Sequence, residues 1–359
     1  MFRLSAAENR TASSLEQMPF FGKSGLPRRD QSRSCAYPDS EKVLSMWKLV
    51  GGIFLGWGLG SNDSANVFGT GVAASLIRYR TAVILTSIFV IIGAMLEGYK
   101  SMGIVGDMSK MSHTGAFIAT LAAGICMAGF SYLSLPVSAS QAIMGAVLGV
   151  GMVSGIPDFS PLIKVVLCWV LTPIGGMVLT TALYPIIGKA LERVLLNPAK
   201  RTVFIRLGVL FAGCYGAYSL GANNVANVTG VYVGSGLLTP MEAALIGSLS
   251  IAFGVLTYSR KVMETVGKKI VELDGFSAFV STLSASLTVH FFTQLGVPVS
   301  TSQATVGGVA GIGFVKGTRT IRKRTLIEIG IGWISTPIST GLLSYLMMRI
   351  YIAFSLTGA

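Results

Sequence analysis

The sequence predicts an all-α polytopic membrane protein built from two homologous repeats. Three observations carry this reading. Hydrophobic residues make up 52% of the 359 and charged residues only 12%, where a soluble domain carries about 25% charged residues. The apolar residues gather in runs that reach or exceed the roughly 20 residues a helix needs to cross a bilayer. The chain also repeats itself in register: Asn62 falls on Asn223, 161 residues on, and Ser138 falls on Ser300, 162 residues on.

Residues 1–45 stand apart. They are polar, bear Ser and Arg, and lack a long apolar core, so they are not a secretory signal peptide. A disordered tail, or a start assigned upstream of Met46, is the expectation, with a transit peptide left open. From Met46 the first half shows apolar runs at roughly 46–77, 81–99, 114–134, 136–156 and 161–187. The second half shows them at roughly 203–237, 241–258, 276–296, 298–315 and 325–354. The basic stretch "KALERVLLNPAKR" separates the halves. The expected organisation is a first transmembrane repeat at 46–188, a linker at 189–202 and a second repeat at 203–359. The first run of each half is too long for one crossing and carries polar residues at its middle. It is expected to be broken, as is the Pro-containing fourth run, giving re-entrant hairpins. Five runs per unit would insert the two copies upside down, the plan of many secondary transporters.

The repeat extends beyond two motifs. "GSNDSANV" (60–67) aligns with "GANNVANV" (221–228), and "LPVSASQAIMGAVLGVG" (135–151) with "VPVSTSQATVGGVAGIG" (297–313). Gly93 and Lys100 fall on Gly254 and Lys261. Trp169, Thr172 and Pro173 fall on Trp333, Thr336 and Pro337. One register kept over four blocks marks a duplicated unit of about 160 residues.

The formal net charge of +13 raises the question of nucleic acid. The basic residues lie between apolar runs, where they set topology and meet anionic lipid. Membrane lipid, not nucleic acid, is the expected partner, and a multi-pass protein of the cell membrane the expected location. Cys35, Cys126, Cys168 and Cys214 have no paired spacing. The two histidines, His113 and His290, cannot make a metal triad. An enzyme needs a nucleophile with a base, or a metal cluster, and the motifs offer neither. No cofactor is expected.

What the motifs do offer is amides, hydroxyls and one carboxylate at membrane depth, where such groups are costly and mark a substrate or ion path. Asn62 and Asn66, four apart, share a helix face with Asp63 beside it. In "PVSxSQ" the proline suits a helix start and the serine can cap it. The free N–H groups of that first turn carry the positive end of the helix dipole, which favours an anion. Two such starts meeting near the midplane would form one wall of an ion site, and the Asn-rich segments the other.

These residues, "GSNDSANVFGTG" and "GANNVANVTG" with "PVSASQ" and "PVSTSQ", resemble the paired signatures of the inorganic phosphate transporter (PiT) family. The segment "RKVMETVGKKIVEL" (260–273) is similar as well, and the likeness spans about residues 46–354. The resemblance implies an inverted-repeat fold, phosphate uptake coupled to sodium or protons, and often a homodimer. Carried over by position, it implies coupling-ion binding by Asn62, Asp63, Asn66, Asn223 and Asn227. It implies substrate binding by Asp63, Ser138, Ser140, Asn224, Ser300, Thr301 and Ser302. Two departures stand out. Asn224 replaces a second aspartate, and Ala139 replaces a threonine that Thr301 retains. A sulfate or other oxyanion permease and an anion channel remain alternatives on the sequence.

Overall fold

The computed structural model describes residues 43–108, 110–133, 137–155, 160–194, 196–270, 273–317 and 323–357. Most of the tail at 1–45 therefore lies outside the described residues, as does Pro136 of the first Pro-Ser motif. The described residues form eleven α-helices and no strand. The first repeat supplies α1 (Leu49–Ala73), α2 (Tyr79–Glu97), α3 (Tyr99–Met108), α4 (His113–Tyr132), α5 (Ala139–Ser154) and α6 (Ser160–Val194). The second supplies α7 (Pro198–Gly234), α8 (Pro240–Ile270), α9 (Gly275–Gln294), α10 (Thr301–Lys316) and α11 (Lys323–Thr357). The single α8 corresponds to α2 and α3 together. Eight helical segments are long and apolar enough to cross a membrane, and the chain is a multi-pass integral membrane protein. The long helices α6 and α11 turn apolar faces outward, with Ile163, Leu167, Val170, Ile334, Ile338 and Leu342 all exposed.

Helix directions follow from paired contacts. α4 runs parallel to α1: Lys48 Nζ donates to Thr114 Oγ1 at 2.9 Å, and further along Asn62 Nδ2 donates to Ser131 Oγ at 3.0 Å. α9 runs parallel to α7 in the same way, with Gly208 against Phe279 and Asn223 donating to Thr293. α1 and α7, which are equivalent, run antiparallel. Gly52 packs on Tyr232, Gly56 on Val228 and Gly71 on Val209. Equivalent helices thus point in opposite directions, the inversion that an odd number of crossings predicts.

α4 ends level with Asn62, halfway along α1, and α5 returns beside it, Gly115 facing Val150. α9 and α10 repeat this arrangement, Gly308 facing Ser281. Each pair is a helical hairpin whose turn ends inside the bundle. The hairpins are thus where re-entry occurs. The expectation that the first run of each half is broken does not hold: α1 and α7 are continuous helices of 25 and 37 residues. The reason is polar satisfaction. The asparagine side chains find partners on neighbouring elements, so the backbone keeps its own hydrogen bonds, as a low-dielectric setting demands. The basic stretch at 189–202 is also largely helical. α6 continues to Val194, and Asn197 Oδ1 caps α7 by accepting from Ala199 N at 2.9 Å, with Pro198 at the first helical position.

The two repeats are locked together by glycines. A Cβ on Gly60 would lie 2.0 Å from the Ile251 carbonyl oxygen, and one on Gly221 would lie 2.0 Å from that of Val90. A Cβ on Gly254 would likewise run into the Trp57 carbonyl, and one on Gly93 into that of Tyr218. On the hairpins, a Cβ on Gly145 would run into the Pro337 carbonyl and one on Gly307 into that of Pro173. Every contact has its counterpart in the other repeat, and each joins one repeat to the other. The in-register glycines of the sequence are therefore points of helix-to-backbone contact.

Gly60→Ala and Gly221→Ala should each destabilise the protein by about 1–3 kcal/mol through overpacking. Gly129→Ala, with nothing within 4 Å of its added methyl, should be neutral or slightly stabilising. Thermal unfolding of the three variants in detergent, by loss of monodisperse protein, measures the contrast.

Candidate functional site

The motif residues converge where α1 and α7 cross. Asp63 is 2% exposed and Asn224 1%, and Asn224 Nδ2 lies 3.4 Å from Asp63 Oδ2. These two positions are equivalent in the repeat, so the pair lies on the pseudo-two-fold axis. A residue on such an axis meets its own counterpart. An aspartate at both positions would set two carboxylates face to face, with strong mutual repulsion. Asn224 supplies a donor there instead.

Asn223 holds the second hairpin turn, and Asn62 bonds the end of α4 in the first hairpin. Asn223 Nδ2 donates to Thr293 Oγ1 at 3.0 Å and to the Val297 carbonyl at 3.3 Å, and its Oδ1 accepts from Val299 N at 3.1 Å. One side chain thereby satisfies both strands of the second turn. Asn62 reaches Ser131, the counterpart of Thr293, in the first hairpin.

Asn66 and Asn224 reach the start of α10. Asn66 Nδ2 donates to Ser302 Oγ at 3.0 Å and Asn224 Nδ2 to Thr301 Oγ1 at 2.8 Å. Ser302 in turn donates to the Val137 carbonyl of the first hairpin at 3.1 Å. The two hairpin tips therefore touch. Ser138 caps α5 by accepting from Gln141 N, and Ser300 caps α10 by accepting from Gln303 N, both at 3.3 Å. Ser138 and Ser140 hydroxyls lie 3.1 Å apart. Two capped helix starts thus present their first-turn N–H groups beside the asparagines.

The first half is built differently. Asn224 has Thr301, but Asp63 has only Ala139 at the matching position, which carries no hydroxyl. Asn227, the counterpart of Asn66, donates to Asn224 Oδ1 at 2.8 Å rather than to a hairpin serine. Among the described residues, Asp63 is reached by two amides, Asn66 and Asn224, each at 3.4 Å. A carboxylate has room for about four such bonds. The two departures seen in the sequence fall at equivalent places: Asn224 bonds the Thr301 hydroxyl, whereas Ala139, the counterpart of Thr301, has no hydroxyl to offer Asp63, the counterpart of Asn224.

Several buried polar groups near the hairpins have no partner among the described residues. The buried Gln141 Oε1 and Gln303 Oε1, and the indole N–H groups of Trp169 and Trp333, form no hydrogen bond there. Gly307 packs on Pro173 and Gly145 on Pro337, which places Trp169 at the register of Gln303 and Trp333 at that of Gln141. Asn227 Oδ1 is likewise without a partner. The sequence reading passed over the glutamines. Their repetition at the sixth position of "PVSxSQ" was the available signal. The cavity beside Asn66, Thr301 and Thr305 is only ≈ 10 Å³, about one water. The site as it stands is closed.

Comparison with known proteins places this geometry. A model of a phosphate transporter family matches twice, over residues 59–203 and 191–344, once for each repeat. An inferred phosphate permease of Methanocaldococcus jannaschii is 31% identical over 84% of this chain and 96% of its own. The sulfate permease CysP of Bacillus subtilis is 28% identical over 86% of this chain and 88% of its own. A solved structure of a sodium-dependent phosphate transporter shares the fold, with a TM-score of 0.76 and 23% identity over 87% of this chain and 99% of that one. The relatives are permeases and transporters rather than enzymes.

Asn223→Ala should loosen the second hairpin turn, each lost bond costing about 0.5–1.5 kcal/mol. Hydrogen exchange should speed up at residues 295–300, the Val299 amide above all, and stay unchanged in α4. Equal protection in the variant and the parent would contradict the clamp.

Proposed function

The chain belongs to the phosphate transporter family, and we propose from that premise that it is a secondary active transporter of inorganic phosphate. In this reading, coupling is to sodium or protons and the substrate lies between the two repeats. One observation carries it: the capped start of α10 meets the Asn66 and Asn224 amides beside the pseudo-two-fold axis, and its Ser302 touches Val137, next to the capped start of α5. First-turn N–H groups favour an anion, and the serine and threonine hydroxyls of Ser138, Ser140, Ser300, Thr301 and Ser302 add donors from both sides. Donors from two repeats that move relative to each other suit alternating access. The present cavity is too small for an oxyanion, so the hairpin tips separate to admit one.

Asp63 repels an anion unless it holds a cation or accepts a proton-bearing oxygen. The under-coordinated carboxylate, with the unpartnered oxygens of Gln141, Gln303 and Asn227, offers the hard oxygen donors that a sodium ion takes. Asn62 and Asn223 then act mainly by holding the hairpins. Accepting a hydrogen bond from protonated phosphate would also select it over sulfate, which carries no such proton at neutral pH. A second reading, a permease for sulfate or another oxyanion, is supported by the sulfate permease among the relatives.

The decisive measurement is labelled phosphate uptake into proteoliposomes, with imposed sodium or proton gradients and sulfate as competitor. Gradient-driven phosphate uptake resisting sulfate is expected. Flux that ignores both gradients points to a channel, and stronger sulfate uptake to the second reading. Removing the hydroxyls of Ser138 and Ser140, or of Ser300 and Ser302, should weaken phosphate binding by about 1.5–3 kcal/mol per lost bond to the charged ligand. If only one pair matters, the shared site is wrong.

Asp63→Asn should abolish coupled uptake, with Asn224→Asp milder and altered in ion dependence. Phosphate and sulfate uptake against sodium concentration separates the two roles of Asp63. Lost sodium activation with selectivity kept marks the cation role, and relaxed selectivity marks the hydrogen bond. Wild-type behaviour in Asp63→Asn would refute both.

A further inference from the structure

A second polar cluster lies one helical turn behind the tip of the second hairpin. Glu97 ends α2. Its Oε2 is 2.9 Å from His290 Nε2 and 2.6 Å from Gln294 Nε2, both on α9. Lys100 Nζ on α3 lies 3.5 Å from Glu97 Oε1 and donates to Gln294 Oε1 at 2.7 Å. On the other side of the imidazole, Tyr215 of α7 stands with its hydroxyl 2.5 Å from Nδ1. Tyr218 lies edge-on, 5.7 Å between ring centroids. Among the described residues, α6 and α10 bring no titratable side chain into hydrogen bonding with His290.

The cluster is tied to the candidate site in two ways. Gly98, beside Glu97, packs against Val225, the neighbour of Asn224. Thr293, three residues beyond His290, accepts from Asn223. The turn itself is close by: Gly296, with φ +72°, would bring a Cβ 3.0 Å from the Lys100 carbonyl oxygen. The side chains of Glu97 and His290 are only 20% and 21% exposed. Both belong to helices long and apolar enough to cross a membrane, where ionisable groups mark ion or proton paths by default.

The equivalent place in the other hairpin keeps a lysine, Lys261 for Lys100, but lacks the carboxylate and the imidazole. Glu97 corresponds to Tyr258, His290 to Ala128, Tyr215 to Phe54, Tyr218 to Trp57 and Gln294 to Tyr132. Phe54 stacks on Trp57 at 5.9 Å, and Trp57 packs on Tyr258 at 5.6 Å. One hairpin is backed by rings and the other by a titratable network. Because the repeats are inverted, this difference distinguishes the two sides of the membrane.

Building on the transport reading, we propose that Glu97 and His290, framed by Tyr215, Lys100 and Gln294, form a proton-binding site that governs movement of the second hairpin only. In the neutral tautomer that carries its hydrogen on Nε2, His290 donates to Glu97 and accepts from Tyr215 at Nδ1, with Gln294 Nε2 2.6 Å from the same Nε2. A proton taken up at Nδ1 leaves Nε2–H on the carboxylate and turns Nδ1–H toward the Tyr215 oxygen. The His290–Glu97 contact, until then a hydrogen bond from a neutral donor to a carboxylate, becomes an ion pair with charge on both partners. α9 is then held against α2, and the tip carrying Ser300, Thr301 and Ser302 is less free to separate. Imidazole suits this role because each ring nitrogen can either donate or accept, so one proton changes its partners' bonding without moving the ring.

The test compares phosphate uptake at pH 6 and pH 8 in proteoliposomes holding the full chain, as wild type, His290→Gln and Glu97→Gln. Wild type should lose uptake at the lower pH. Phosphate's own titration affects all three proteins alike, so the pH 6 to pH 8 ratio is the readout. In both variants it should rise relative to wild type by a factor on the order of five, within the usual range of site coupling. Ratios equal to wild type overturn the proposal. A direct readout is the imidazole NMR titration in a His113→Gln background, leaving His290 as the one histidine. By reciprocity, added phosphate should shift its midpoint, and an unmoved midpoint overturns the proposal. A wild type that takes up no phosphate at any pH sinks the transport reading instead, and the NMR titration then decides the proton site alone.

Discussion

Polar side chains placed where water cannot reach them must be satisfied by the protein. The rest of this structure depends on how α1 and α7 meet that constraint. Each helix carries an Asn-rich patch at its middle, and each patch binds a hairpin. Asn223 takes up both a donor and two acceptors of the second turn, and Asn62 bonds the end of α4 in the first hairpin. The turns therefore end at the bundle centre rather than at a membrane face. Remove that demand and nothing would hold a polar chain reversal in the middle of an apolar bundle.

Close helix approach is what brings the patches within bonding distance. Glycines against carbonyl oxygens, repeated in both halves, let α1 meet α8 and α7 meet α2 backbone to backbone. Without such contacts, side chains two or three carbons long could not bridge the helices. The same arrangement shapes the candidate site. Asp63 and Asn224 face each other because they lie on the axis that relates the repeats, and only one of them can be a carboxylate without a like-charge conflict.

Duplication supplied the symmetry, and divergence made the halves chemically unlike. Thr301 and Ala139 occupy the same position in the two hairpins, as do His290 and Ala128. The second hairpin has hydroxyl and titratable contacts where the first has a methyl and stacked rings.

The sequence by itself determined the membrane class, the repeat and the motif residues. Composition and run length reflect the solvent a helix faces, and an in-register duplication survives in the letters. The hairpins were legible too, through proline and serine at a helix start. It misjudged α1 and α7, taking polar and glycine-rich middles for breaks. Whether Asn62 or Gly60 interrupts a helix depends on what lies opposite, here Ser131 and the Ile251 carbonyl, and those are set by packing between distant segments. That Asn224 bonds Thr301, and that Ala139 can offer Asp63 no such bond, was visible only as two unconnected departures. The glutamines of both motifs and the Glu97–His290 network were likewise beyond reach, because their partners lie on other helices. Tertiary structure decided all of these, since hydrogen bonding and close contact act across space and sequence spacing reports only the neighbours along one helix.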